Sequence, residues 1–185
     1  MAKEAYIPCL LDIFRRYGYD GATLSKISQA TGLGKASLYH YFPHGKDEMV
    51  STVLDFLEKW FQQNILEVLR GQGTVLSRLS QMCERVIQVY EGGEQPCMCA
   101  ILLMGSGRDI FHAKVNLLLR TWIDEIARVL QTDGLDQAIA KERAEDALIA
   151  IQGALILVQG LNDTTPFLRI MKQLPQQICR SSCNM

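Results

Sequence analysis

The stretch Thr23-Leu24-Ser25-Lys26-Ile27-Ser28-Gln29-Ala30-Thr31-Gly32-Leu33-Gly34-Lys35-Ala36-Ser37-Leu38-Tyr39-His40-Tyr41-Phe42 decides the fold. Thr23 can cap a short helix over Leu24 to Thr31, with Ile27 and Ala30 on its inner face. Gly32 stops that helix and tolerates the positive φ of a tight turn. Gly34 opens a second short helix, Lys35 to Tyr41, which Leu33 and Leu38 bury. Lys35, Ala36, Ser37, Tyr39, His40 and Tyr41 then remain on the outer side. They comprise a cation, small residues that permit close approach, and groups able to reach phosphates or base edges. Taken singly, each reads as easily as a solvated side chain. Together on one short helix after a tight turn, they have the size and pattern of a helix-turn-helix.

Upstream, Ile7, Leu10, Leu11, Phe14 and Tyr17 trace one helical face, and Gly18 is placed to end it. Downstream, Pro43-His44-Gly45 breaks the chain, and Asp47 and Glu48 favour the first turn of a long helix. Its apolar positions run from Val50 to Leu69. Leu76 to Tyr90 make another helical face, and Gly92 to Pro96 are a loop. Cys97 to Met104 is apolar throughout and is the one stretch that could pass for a buried strand, with Gly105-Ser106-Gly107 as punctuation after it. Helices are predicted over Asp109 to Leu130, Lys141 to Leu161 and from Thr165, with Pro175 ending or kinking the last. The predicted class is all-α, a three-helix N-terminal domain over residues 1–46 and a helical domain over 47–185.

The ordered motifs Phe14-x3-Gly18-Tyr19, Thr23-x3-Ile27-x2-Ala30-x-Gly32-Leu33, Lys35-Ala36-Ser37-Leu38-Tyr39-x-Tyr41-Phe42 and Lys46-Asp47-Glu48-Met49 resemble the DNA-binding domain of the tetracycline-repressor (TetR) family. The resemblance covers about residues 1–60. It implies a dimeric regulator on a palindromic operator, most simply a repressor released by a small apolar effector. It assigns base or phosphate contacts to Lys35, Ala36, Ser37, Tyr39, His40 and Tyr41, and backbone contacts to Thr23 and Lys46. It also implies that the last two long helices pair between subunits. Leu148, Ile151, Leu155, Val158, Phe167, Ile170, Met171 and Leu174 are the candidates there, although the same residues would serve as ordinary core. Trp60, Phe61, Met104, Phe111, His112, Trp122 and Gln152 are candidate effector-lining residues, aromatic and Met groups with a few polar ones.

Of 185 residues, 48% are apolar and 21% charged, which suits a packed core rather than disorder. The net charge of −1 argues against DNA binding only until it is divided. Residues 1–46 carry six basic and three acidic side chains, whereas residues 47–185 carry thirteen and seventeen. Glu4 and Asp12 do not fit a signal peptide, and Ala147 to Leu161 is too short and too polar for a membrane span. Six cysteines without a secretion signal read as free thiols of a cytoplasmic protein. Cys97-x-Cys99 and Cys179-x3-Cys183 leave a thiol switch or soft-metal sensor as an alternative, although neither has zinc-site spacing. No cofactor or catalytic motif is apparent, so an enzyme is not expected. An all-α interaction module would explain the helices but not the outer face of residues 35–41.

Overall fold

The computed structural model describes residues 3–179. A 3-10 turn, Lys3–Tyr6, leads into α1 (Ile7–Gly21), α2 (Leu24–Thr31), α3 (Lys35–Tyr41) and α4 (Lys46–Phe61). A π-helical turn, Gln62–Leu66, joins α4 to the short α5 (Glu67–Arg70). Next come α6 (Val75–Val89), a 3-10 turn at Glu91–Gly93, α7 (Met98–Leu102), α8 (Gly107–Gln131), α9 (Gln137–Leu161) and α10 (Thr165–Cys179). No strand occurs among the described residues. Cys97 to Met104, the stretch that could have been one, instead holds the five-residue helix α7. Its lack of alternation left the choice open, and its apolar run reflects burial of Met98 and Leu102.

The chain divides into two compact units. One contains the residues up to Trp60 together with Cys97–Asn116; the other contains Phe61–Pro96 and the chain from Leu117 onward. The N-terminal unit is therefore discontinuous and larger than residues 1–46. Its core gathers Ile7, Leu10 and Phe14 of α1, Ile27 of α2 and Leu38 of α3. Met49, Val50, Val53 and Leu54 of α4 join them, with Met98, Leu102 and Phe111 from the distant segment. Ala30 is not part of it: it lies on the exposed side of α2, and Ala22 is the small residue that is buried. Helical geometry inside α1 breaks at Gly18 (φ 65°, ψ −177°), where the sequence expects its end.

In the second unit α10 packs on α9 and α6. Arg78 is buried there. Its guanidinium donates to Leu69 O at 3.2 Å and to Thr132 Oγ1 at 2.9 Å, so it serves chain ends near the C-termini of α5 and α8. Glu125 is held by Arg70 (3.1 Å) and Arg128 (2.5 Å). Burial alone would raise its carboxyl, but the two guanidinium hydrogen bonds outweigh that and keep it below the usual range. Pro175 lies within α10 and is buried; it does not end the helix.

Gly93 has φ 105°, and a Cβ there would stand 2.9 Å from Cδ1 of fully buried Phe167. Gly93→Ala is expected to cost about 2–3 kcal/mol from left-handed strain plus overpacking. Gly134→Ala has comparable φ (88°) but open space around the Cβ, and should lose only the strain. Urea denaturation of the two variants separates the contributions.

Candidate nucleic-acid interface

Thr23 caps α2, its Oγ1 accepting from Lys26 N at 3.4 Å. Gly32 (φ 70°, ψ 6°) makes the left-handed turn that ends α2, and Gly34 caps α3 without a side-chain bond. Ser28 Oγ donates to Leu33 O at 2.6 Å and pins the turn. Leu38 is fully buried, and that anchor turns Lys35, Ala36, Ser37, Tyr39 and His40 outward. Tyr39 is 44% exposed. Lys35 makes no hydrogen bond or ion pair among the described residues, so its ammonium is available to a phosphate.

Tyr41 departs from the expected outer face. It is half-buried, its ring 5.2 Å from Tyr6 and 5.4 Å from His40, and it shares a hydrogen bond with the Tyr6 phenol. It fastens α3 to the residues preceding α1. Its position, three residues after Leu38, brings it back towards the buried side of a 3.6-residue helix.

The loop before α4 is held at both ends. Gly45 (φ 66°) donates to Phe42 O at 2.8 Å, and Glu48 Oε2 accepts from His44 N at 3.0 Å. The other Glu48 oxygen takes Lys3 at 2.9 Å. The backbone bond from His44, followed by Lys3, keeps this carboxyl below its ordinary range. Lys46 is committed too: its Nζ donates to Tyr19 O at 2.8 Å and lies 4.1 Å from the Tyr19 ring centroid. Two of its three ammonium hydrogens remain for another acceptor. Lys26 is similarly tied, to Gly21 O and over the Tyr17 ring. Asp20, Thr23, Tyr39, His44, Gly45 and Lys46 line an open concavity of about 540 Å³.

The N-terminal helices match the family model for bacterial regulatory proteins of the tetR family over residues 11–53. Residues 75–173, more than half of the chain, match the C-terminal domain of LmrA/YxaF-like transcriptional regulators. The chain belongs to the TetR family of transcriptional regulators. This TetR-family chain is 22% identical to the HTH-type regulator YxaF of Bacillus subtilis, spanning 94% of its own length and 93% of that protein. It is 23% identical to LmrA of the same organism, over 97% of each. A TetR regulator from Legionella pneumophila shares the fold with a TM-score of 0.83 at 15% identity, covering 96% of this chain and 97% of that one. A cysteine mutant of CifR, solved with 26-bp double-strand operator DNA, gives 0.78 at 15% identity, with 95% and 96% covered. These relatives are regulators, not enzymes.

The effector candidates divide between the two units. Trp60, Met104, Phe111 and His112 belong to the N-terminal unit, and Phe61, Trp122 and Gln152 to the other. Met104 is 68% exposed and His112 is exposed. Phe111 is core, set edge-on to Tyr19 at 5.7 Å. In the second unit Phe61 meets Trp122 edge-on at 5.5 Å, and Trp122 Nε1 donates to Met82 Sδ at 3.3 Å. Gln152 carries a buried Nε2 with no hydrogen-bond partner among the described residues.

The intersubunit candidates need correction. Leu148, Ile151, Leu155, Val158, Phe167, Met171 and Leu174 are buried within a single protomer, and Ile170 is half-buried. They form the packing of this unit itself. The exposed apolar face of α9 is the other one: Ile149, Gly153, Ile156, Leu157, Gly160 and Leu161. A helix apolar nearly all round does not declare from sequence which side faces its own chain. At 25 residues, α9 is long and apolar enough to cross a membrane, longer than the tract read from sequence, yet eight of its side chains are buried in the protein's own core.

Three of the thiols, Cys83, Cys99 and Cys179, are shifted towards the protonated form. Burial, with Glu84 adding to it, pushes Cys83 up to about 12. The hydrogen bond between Cys99 and Cys97, followed by burial, raises Cys99 well above the ordinary thiol value. Burial also raises Cys179, whose expected partner Cys183 lies outside the described residues.

Proposed function

We propose that this chain is a homodimeric repressor acting in the cytoplasm, reading a palindromic operator with α3 and released by a small apolar effector. The observation that carries the DNA reading is the outward row Lys35, Ala36, Ser37, Tyr39 and His40, fixed by the buried Leu38. In this reading Ala36 and Ser37 admit α3 to the major groove, while Tyr39 and His40 reach base edges or phosphates. Thr23, Lys35 and Lys46 hold the backbone. Tyr41 acts by steadying α3 against Tyr6. The exposed α9 face, Ile149 to Leu161, supports self-association with a second copy of the chain. The functional boundary is proposed at residues 46 and 47, where α4 begins.

For the effector, Phe61, Trp122 and Met82 offer an apolar, polarizable wall, and the unpartnered Gln152 amide would favour a ligand bearing a hydrogen-bond acceptor. Release follows if the ligand binds better to a dimer state that fits the half-site spacing poorly. Thiol or soft-metal sensing is the weaker reading, because the Cys83 and Cys99 thiols are held protonated.

Selection from a random duplex pool tests the proposal. The recovered sequences should share an inverted repeat, and affinity should fall steeply with salt. Lys35→Ala should weaken binding about five- to tenfold and flatten the salt slope by about one. Recovery of no preferred duplex would overturn the reading.

A further inference from the structure

The segment Gly105-Ser106-Gly107, between α7 and α8, grips the end of α1. Ser106 N donates to Asp20 Oδ2 at 3.0 Å, and its hydroxyl donates to the other Asp20 oxygen. Gly105 has φ 68°, and any Cβ there would collide with the Asp20 carboxylate. A Cβ on Gly107 would stand 3.0 Å from Tyr19 Cβ. Phe111, one turn into α8, lies edge-on to the Tyr19 ring. Two glycines, a hydroxyl and an aromatic ring thus converge on the consecutive residues Tyr19 and Asp20, all within the N-terminal unit.

Asp20 borders the concavity that Thr23 and Lys46 line. Tyr19 supplies the carbonyl and the ring that locate the Lys46 ammonium, and its phenol donates to Asp47 Oδ1. Asp20 is exposed and acidic, and its carboxylate stays ionised, so its orientation decides how near that charge stands to a phosphate, and hydrogen bonds to its two oxygens fix the orientation. Ser106 occupies both.

We infer that Ser106 and Phe111 are positioning residues for DNA binding: they clamp Tyr19 and Asp20, and through them aim Lys46 at the DNA backbone while holding the Asp20 carboxylate turned onto Ser106. The inference rests on the operator reading above and adds to it a route by which residues 97–116 alter DNA affinity without touching DNA. Opening the clamp lets the Asp20 carboxylate swing away from Ser106 and lets Lys46 wander.

The experiment uses the full-length chain and the duplex recovered by selection. Ser106→Ala and Phe111→Leu are each expected to weaken operator binding about fivefold, the worth of one lost interaction. Ser106 is exposed, so Ser106→Ala should leave the thermal midpoint within about 2 °C. Ser106→Thr, which keeps the hydroxyl, should restore affinity. In a Lys46→Met background, Phe111→Leu should lose most of its effect, because Lys46 is the group it positions. A merely structural Phe111 would lower stability and act additively with Lys46→Met. Wild-type affinity in Ser106→Ala, or full additivity of Phe111→Leu with Lys46→Met, overturns the clamp. A wild-type chain that selects no duplex overturns the operator reading itself, and the clamp with it.

Discussion

Ile156→Arg is expected to convert the proposed dimer to a monomer and to lower operator affinity by at least about a hundredfold, the scale of a lost bivalent contact. Ile156 is 62% exposed in the protomer, on the outer side of α9 beside Gly153 and Gly160. An arginine there meets water in a single chain and costs the fold little. Between two copies it would bring like charges into an apolar contact. Sedimentation velocity should show half the mass, and circular dichroism an unchanged thermal midpoint. Ile151→Arg makes the contrast. That side chain is fully buried, so its substitution should unfold the second unit rather than split a dimer. A dimer that survives Ile156→Arg would place the subunit contact elsewhere.

Phe14→Ala should destabilise the N-terminal unit by about 3–5 kcal/mol, the transfer loss of an aromatic side chain plus the cavity it leaves. Phe14 is fully buried in a cluster with Leu10, Ile27, Leu38, Met98 and Leu102. Its neighbours come from four helices and have little freedom to collapse inward. Phe56→Ala, at a side chain 43% exposed on α4, should change stability by no more than about 0.5 kcal/mol. Denaturant titration of both, followed by a change in tyrosine environment, reads the difference. Operator binding should fall with the first and persist in the second, because Leu38 orients α3 from the same cluster.

The helix-turn-helix was legible because its demands are local. Gly32 must take a positive φ, Thr23 must cap, and Leu38 must turn inward, and each requirement is met by one residue type at one spacing. Tyr41 was misplaced because its partner, Tyr6, comes from outside that window. Lys46 could be assigned to the DNA backbone by resemblance, but nothing near it in sequence reveals its tie to Tyr19, 27 positions away. The side of α9 that meets its own chain was hidden because Ile149, Ile156 and Leu157 are as apolar as Ile151 and Leu155. Periodicity locates a stripe only when the opposite face is polar. The role of Gly105-Ser106-Gly107 was invisible for a different reason. Glycines read as punctuation until the atoms they make room for, here those of Tyr19 and Asp20, are known. The π-turn at Gln62–Leu66 also escaped notice, since the apolar positions from Val50 to Leu69 read as a single regular helix.

The N-terminal unit borrows Met98, Leu102 and Phe111 from a part of the chain that follows α6, and this bears on how such regulators can be recombined. A graft exchanging residues 1–60 alone between two relatives would strip Leu10 and Phe14 of three core neighbours. It would also leave Tyr19 and Asp20 facing a foreign loop. A hybrid that keeps its reading head intact has to carry residues 97–116 along with it, two crossovers further down the chain. Operator specificity and the segment 97–116 are therefore inherited together, and a single cut does not separate them.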